Sequence, residues 1–325
     1  MARCRDKRNM HVTRYSGLDV TKAIAILLVV FGHVWRGLQG AGLLENEALF
    51  RAVDDAIYLF HMPVFFFLSG LFIRPNLSAG AFFKSRLLLL IWPLLLWSWI
   101  ECAALIASGQ INASMLVFAT YPFPPKSIYW FLWALFLIQV FVWLVSHLPV
   151  AVARALLAIC AVYVCSGLPL VLGFDNLYPA AINFPYLVSG WFIANLGRRD
   201  TFLSLPSWFG GILFALGLTT VFMGWSSNGV PLFYIASLAA TFGFILLCLA
   251  LPAPGWLVAL GQLTMPIYLS HILFTSGIRI ALLKLGIANT PTHIILATML
   301  GVLGPLILYV AARRLGLDRA AGFSR

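Results

Sequence analysis

Ten apolar stretches, each about 20 residues long, recur along the chain and decide what it can fold into. A helix of that length covers the roughly 30 Å hydrocarbon layer of a bilayer. The stretches near 18–36, 56–73, 87–107, 128–147, 149–167, 177–197, 208–225, 231–251, 257–283 and 292–312 therefore predict an all-α, polytopic bundle of about ten transmembrane helices. Composition agrees: with 62% of residues hydrophobic, 10% charged and a mean hydropathy of +0.97, the chain has more apolar surface than one soluble core can bury. Pro149, Pro206, Pro231, Pro252 and Pro254 punctuate the later connections. No repeat or linker divides the chain, and no stretch between spans is long enough for a soluble domain, so residues 1–325 read as one membrane domain.

Arg3, Arg5, Lys7, Arg8 and Arg14 precede the first apolar run, which is too long for a signal peptide and lacks a small-residue cleavage site. It reads as a retained first helix. With that end inside, most of the 21 Lys and Arg fall on the cytoplasmic side, and Glu45, Glu47, Asp54, Asp55 and Asp175 fall on the other. Both termini are predicted to be cytoplasmic. The formal charge of +11 is then an orientation signal, and no nucleic-acid partner is expected. The five cysteines show no Cys-x-x-Cys spacing, which predicts neither a disulfide framework nor a metal site.

The first stretch, LDVTKAIAILLVVFGHV at 18–34, carries Asp19, Lys22 and His33. At 100° per residue, positions 19, 22, 26, 29 and 33 share one helix face, and Lys22 and His33 stand roughly 16 Å apart along the axis. A charge at depth in a transmembrane helix costs about 2.5–3.5 kcal/mol, so the stripe is predicted to face the bundle interior. Taken singly, Lys22 reads equally as a side chain snorkelling to the cytoplasmic surface, and His33 as a neutral imidazole bonding between helices. Other polar groups at matching depths favour a site. His61 in the second stretch lies near the level of His33, beside Pro63, which weakens the backbone ladder, while Ser69 and Gly70 permit close packing.

Lys84 and Arg86 stand at the cytoplasmic start of the third stretch and Glu101 towards its outer end. His271 reaches about the midplane of the ninth, among Gln262, Thr264, Tyr268 and Ser270. Arg14, Lys84, Arg86, Arg198 and Arg199 read either as a phosphate-binding mouth or as what orientation alone requires. Tyr121, Tyr129, Trp130 and Trp133 read either as a platform for stacking a sugar or as an interfacial aromatic belt.

LDVTKAIAILLVVFGH resembles the first-helix signature of the membrane-bound acyltransferase-3 family, in which a basic residue, ten others and a histidine follow in order; here these are Lys22 and His33. FHMPVFFFLSG, WFLWALF and PIYLSH resemble later helices of that family, in particular of its sugar O-acetylase branch, which includes fucose acetylases. The family's Arg-x-x-Arg at the third helix is not kept: Arg86 is followed three positions later by Leu89, with Lys84 offering a charge elsewhere. The resemblance implies O-acylation of a carbohydrate or lipid-linked glycan at a bacterial inner membrane, with acetyl-CoA as cytoplasmic donor and no metal. Lys22, Lys84, Arg86 and Arg14 would then serve the donor. Trp130, His271 and Glu101 would serve the acceptor.

His33 is expected to act as general base on a sugar hydroxyl, or else to carry the acyl group as a transient acyl-histidine, with His61 as an oxyanion donor on depth alone. A continuous corridor is expected to run from the cytoplasmic mouth to His33. The rival reading is a transporter or glycolipid flippase in which His33, His61 and His271 relay protons, and a third is a non-catalytic scaffold.

Overall fold

The computed structural model describes residues 2–73, 77–167, 177–223 and 231–324, with side chains from Ser16 onward except that of Phe222. The described residues are helices and short connections without a strand. Helix α1 (Ala2–Gly40) continues the first apolar stretch back through the basic segment. The second stretch is two helices, α2 (Glu47–Tyr58) and α3 (His61–Leu71). The third is α4 (Ala79–Arg86), a wide π turn at Leu87–Ile91 and α5 (Trp92–Ala107). A short α6 (Met115–Thr120) leads to α7 (Trp130–Val145), then α8 (Val150–Cys165) and α9 (Tyr178–Asn195). Beyond a short α10 (Arg199–Leu203) follow α11 (Ser207–Phe222), α12 (Pro231–Leu249), α13 (Gly255–Gln262), α14 (Thr264–Lys284) and α15 (Thr290–Arg314).

All ten predicted stretches are thus helical, but they are not equal. Seven are long and apolar enough to cross a membrane: Ser16–Gly40, Glu47–Leu71, Ala79–Ala107, Ser127–Val145, Pro231–Leu249, Thr264–Lys284 and Thr290–Arg314. Val150–Cys165 and Ser207–Val221 are apolar but shorter, and α9 carries Pro179, Pro185, Asn183 and Asn195.

The break between α2 and α3 has a chemical cause. Pro63 has no N–H to give the carbonyl of Leu59 four residues earlier, so that acceptor is orphaned inside the bundle. The fully buried Ser237 hydroxyl of α12 donates to it instead. Removing that donor leaves a buried carbonyl without a partner; Ser237→Ala should cost about 1–2 kcal/mol. A thermal melt of the detergent-solubilised variant that matches wild type would contradict this.

Two glycines set a close helix crossing near the site. A Cβ at Gly70 of α3 would stand 1.9 Å from the Leu187 carbonyl oxygen, and one at Gly190 of α9 would stand 2.2 Å from that of Phe67. Backbones that approach this closely replace the hydrophobic drive that lipid cannot supply with dispersion contacts. Helix α3, which carries His61, is thereby locked against α9.

At the other flank, Trp92 and Trp97 of α5 donate their indole N–H groups to the carbonyls of Ala320 (2.7 Å) and Ala321 (2.9 Å). The carboxyl-terminal turn is therefore docked on the first turns of α5, with Phe323 packed on Trp97. Beyond the membrane helices, the Ser324 hydroxyl bond holds the Asp318 carboxyl below the ordinary carboxylate range.

Candidate functional site

Helix α1 runs through the middle of the bundle against α3, α12, α13, α14 and α15, so its polar face is enclosed by protein. Ile26 and Val29, between the polar residues of the stripe, are buried at 1% and 2% exposure, which places the stripe inward as its 3-and-4 spacing predicts.

At one end of the stripe Lys22 does not stand as a bare cation. Its ammonium lies 2.6 Å from Asp19, one turn earlier, and Asp19 also accepts from the Gln262 amide at 3.1 Å. The pair opens on a cavity of about 430 Å³ walled by Leu18, Phe65, Ser69, Phe72, Phe131 and Leu135. A neutralised ion pair on apolar walls suits an uncharged, amide-bearing chain better than a cluster of phosphates.

Lys84 is exposed, and Arg86 holds its guanidinium 5.3 Å from the centre of the Phe82 ring. Neither lines the Lys22 cavity. The side chain of Arg14 lies outside the described residues.

At the other end His33 meets a second histidine: its ring centre is 5.1 Å from that of His271 on α14. No hydrogen bond engages the His33 ring among the described residues, and neither ring nitrogen is sealed. His271 is different. Its Nδ1 faces the carbonyls of Ile267 (3.0 Å) and Tyr268 (2.8 Å), and its Nε2 is buried without a partner. A carbonyl only accepts, so Nδ1 carries the proton and the neutral ring leaves a lone pair on Nε2.

The same logic applies to His61, whose Nδ1 lies 2.6 Å from the Ile57 carbonyl. Its Nε2 is then a lone pair too. A neutral His61 therefore cannot donate to an oxyanion, and depth alone gave it a role that its tautomer does not support.

One turn beyond His33, Arg36 is clamped by Asp54 through two bonds of 2.6 and 2.8 Å, and its guanidinium lies 3.2 Å from the centre of the Tyr58 ring. Tyr58 in turn meets His61 edge-on at 4.4 Å, so a continuous stack links Asp54 to His61. This stack forms one wall of a second cavity of about 390 Å³, which Trp130, Asn183, Tyr186, Thr220 and Tyr234 complete. Rings for stacking and short polar groups for hydroxyls share one pocket there.

Trp130 thus lines a cavity, as its place in the sequence suggests. Glu101 does not: it is buried on α5, hydrogen-bonded to the Ser127 hydroxyl, with Oε2 unpartnered. Two tyrosines brace the turn before α7 to α14 reciprocally. Tyr129 donates to the Leu269 carbonyl at 3.2 Å and Tyr268 to that of Ile128. The brace fixes the turn of α14 whose carbonyls hold His271.

Met62 and Trp130 line the Arg36 chamber, whereas Phe65 and Phe131 line the Lys22 chamber. His33 stands on α1 between the chamber-lining residues Lys22 and Arg36.

The sequence reading missed the Asp54–Arg36–Tyr58 stack. Its signal was available: Arg36 follows His33 by one turn, and Asp54 and Asp55 open the next apolar stretch with opposite charge. No group of three His, Cys, Asp or Glu among the described residues is placed to hold a metal ion.

Comparison with known proteins places the chain in a family. A family profile described as an acyltransferase domain matches residues 15–310. The nodulation protein NolL of Mesorhizobium japonicum is 26% identical over 232 residues, covering 65% of this chain and 56% of that protein. NolL of Sinorhizobium fredii is 30% identical over 128 residues, covering 36% of this chain and 32% of that protein. The matched region thus spans about half or less of these relatives' own length. No solved structure matches.

Proposed function

This chain belongs to the acyltransferase-3 family of membrane enzymes, and on that premise we propose that it moves an acetyl group from cytoplasmic acetyl-CoA to a hydroxyl of a carbohydrate or lipid-linked glycan at a bacterial inner membrane. The observation that carries the reading is the position of His33: a ring free of hydrogen bonds, on one helix between two chambers of unlike chemistry.

The Lys22 chamber fits the amide-bearing arm of the donor. The aromatic and hydroxyl-bonding Arg36 chamber fits a sugar ring. Sidedness is supported by geometry. Phe72 closes α3 at the Lys22 chamber, α4 follows it within a few residues, and the start of α5 holds the carboxyl-terminal turn. The carboxyl-terminal turn therefore lies at the start of α5, near the basic residues whose excess is read as cytoplasmic.

In the reaction, a lone pair of His33 takes the proton of the acceptor hydroxyl as its oxygen bonds to the thioester carbonyl carbon. The carbon–sulfur bond then breaks, and the proton passes from His33 to the departing thiolate. His271, with Nε2 unprotonated, accepts the N–H of the other His33 nitrogen once the ring turns onto it. That fixes which His33 nitrogen is the base.

Incubating the purified protein with labelled acetyl-CoA and a panel of glycans tests the reading. Label should move onto sugar, whereas a proton-coupled transporter would leave it on the donor. Lys22→Ala should raise the KM for acetyl-CoA about fivefold, with a smaller change in kcat, through loss of one charge-assisted contact. An unchanged dependence of rate on donor concentration would reject a donor-side role for Lys22.

A further inference from the structure

Charged groups on the far side of His33 are mostly spoken for. Arg36 is paired with Asp54, and Arg51 with Glu47. Arg279 on α14 is not: half-buried, it has no hydrogen bond or ion pair among the described residues. Its guanidinium reaches helix α1 at Gly37 with Nη1 leading, where a Cβ would stand 1.9 Å from Nη1 and 3.1 Å from Cζ. Gly37 is one turn beyond His33 on the same helix face. On α14, Arg279 follows His271 and Thr275 at successive intervals of four residues, so it shares their face.

A guanidinium kept in a partly buried position, without a counter-ion, loses hydration that only an anion returns in full. The missing side chain at Gly37 is what lets it lie there.

We propose that Arg279, seated on Gly37, is a phosphate-binding position that holds a phosphate ester one helical turn from His33. The planar fork suits two oxygens of one phosphate, which a lysine at this position would not match. Two sources carry that chemistry: the phosphate of a membrane-anchored acceptor, or the headgroup of a bulk lipid. The inference rests on the acyl-transfer reading for its proximity to the reaction, but phosphate binding is measurable without transfer.

The test uses the full chain in nanodiscs of zwitterionic lipid, with a short polyprenyl-phosphate-linked sugar and the same sugar without its lipid phosphate. The first readout is thermal stabilisation by each compound. The second is the KM for transfer to each. Wild type should bind the phosphate-linked sugar about tenfold more tightly than the free sugar, and Arg279→Gln should remove that difference, as expected for one lost charge-assisted contact. Arg279→Lys should restore part of it. Gly37→Ala, which displaces the guanidinium but keeps its charge, should weaken binding likewise, and Lys284→Gln should not.

Repeating the melts and assays in nanodiscs containing anionic lipid separates the sources. An Arg279-dependent response to anionic lipid, without preference between the sugars, assigns the phosphate to a headgroup. If Arg279→Gln changes neither the preference nor the response to anionic lipid, the proposal is overturned. Stabilisation by the phosphate-linked sugar without any transfer would instead count against the acyl-transfer reading.

Discussion

His33→Ala is expected to leave the protein folded and inserted while lowering kcat for acetyl transfer by about 10³-fold, within the 10²–10⁴ range of a positioned general base. The His33 ring makes no hydrogen bond among the described residues, so its removal orphans no buried partner there and should cost little packing. Both substrates should still bind, because the residues lining the two chambers do not include His33. The expected signature is a fall in kcat with KM values for donor and acceptor within about threefold of wild type. Transfer at the normal rate by a variant with an unchanged melting profile would remove the base assignment.

The second large effect is at His271. If its Nε2 orients His33, then His271→Ala should lower kcat by about 10- to 100-fold, the usual penalty for losing a partner that orients a working imidazole. A purely structural role would make a different prediction. His271→Gln places an amide oxygen where Nε2 stood, keeps an acceptor for the His33 N–H, and should recover most of the rate. It should also keep the shape of the pH–rate profile, which His271→Ala should alter through the freed His33 ring. If Gln and Ala variants lose activity equally, with the same profile and a matching loss of stability, His271 is packing and no more.

Much of this geometry is legible in the sequence, and the physical reasons for the rest are specific. The inward stripe follows from a 3-and-4 spacing, because insertion energetics forbid lipid exposure of aligned charges. The break at Pro63 follows from a missing N–H, but the residue that answers it, Ser237, lies far along the chain and no local pattern marks it. The Asp19–Lys22 pair stands at i,i+3, a spacing that predicts contact, and it makes Lys22 half of a neutral pair.

The Arg36 chamber collects Arg36, Tyr58, Trp130, Asn183 and Tyr234 from five helices. Each is an unremarkable interfacial or helix-end residue until the bundle assembles. Lys84 and Arg86, on α4 just before the π turn at Leu87–Ile91, do not line the Lys22 cavity, which no local spacing reveals.

The central claim is that donor and acceptor reach one imidazole from opposite ends of helix α1. The most direct measurement supplies labelled acetyl-CoA to proteoliposomes of uniform, proteolytically mapped orientation, on one side at a time, with the glycan acceptor present on both. Label should appear on sugar only when the donor is on the side of the Lys22 chamber and the chain termini. Equal transfer from the Arg36 side, or label that stays on the donor from either side, would contradict the account.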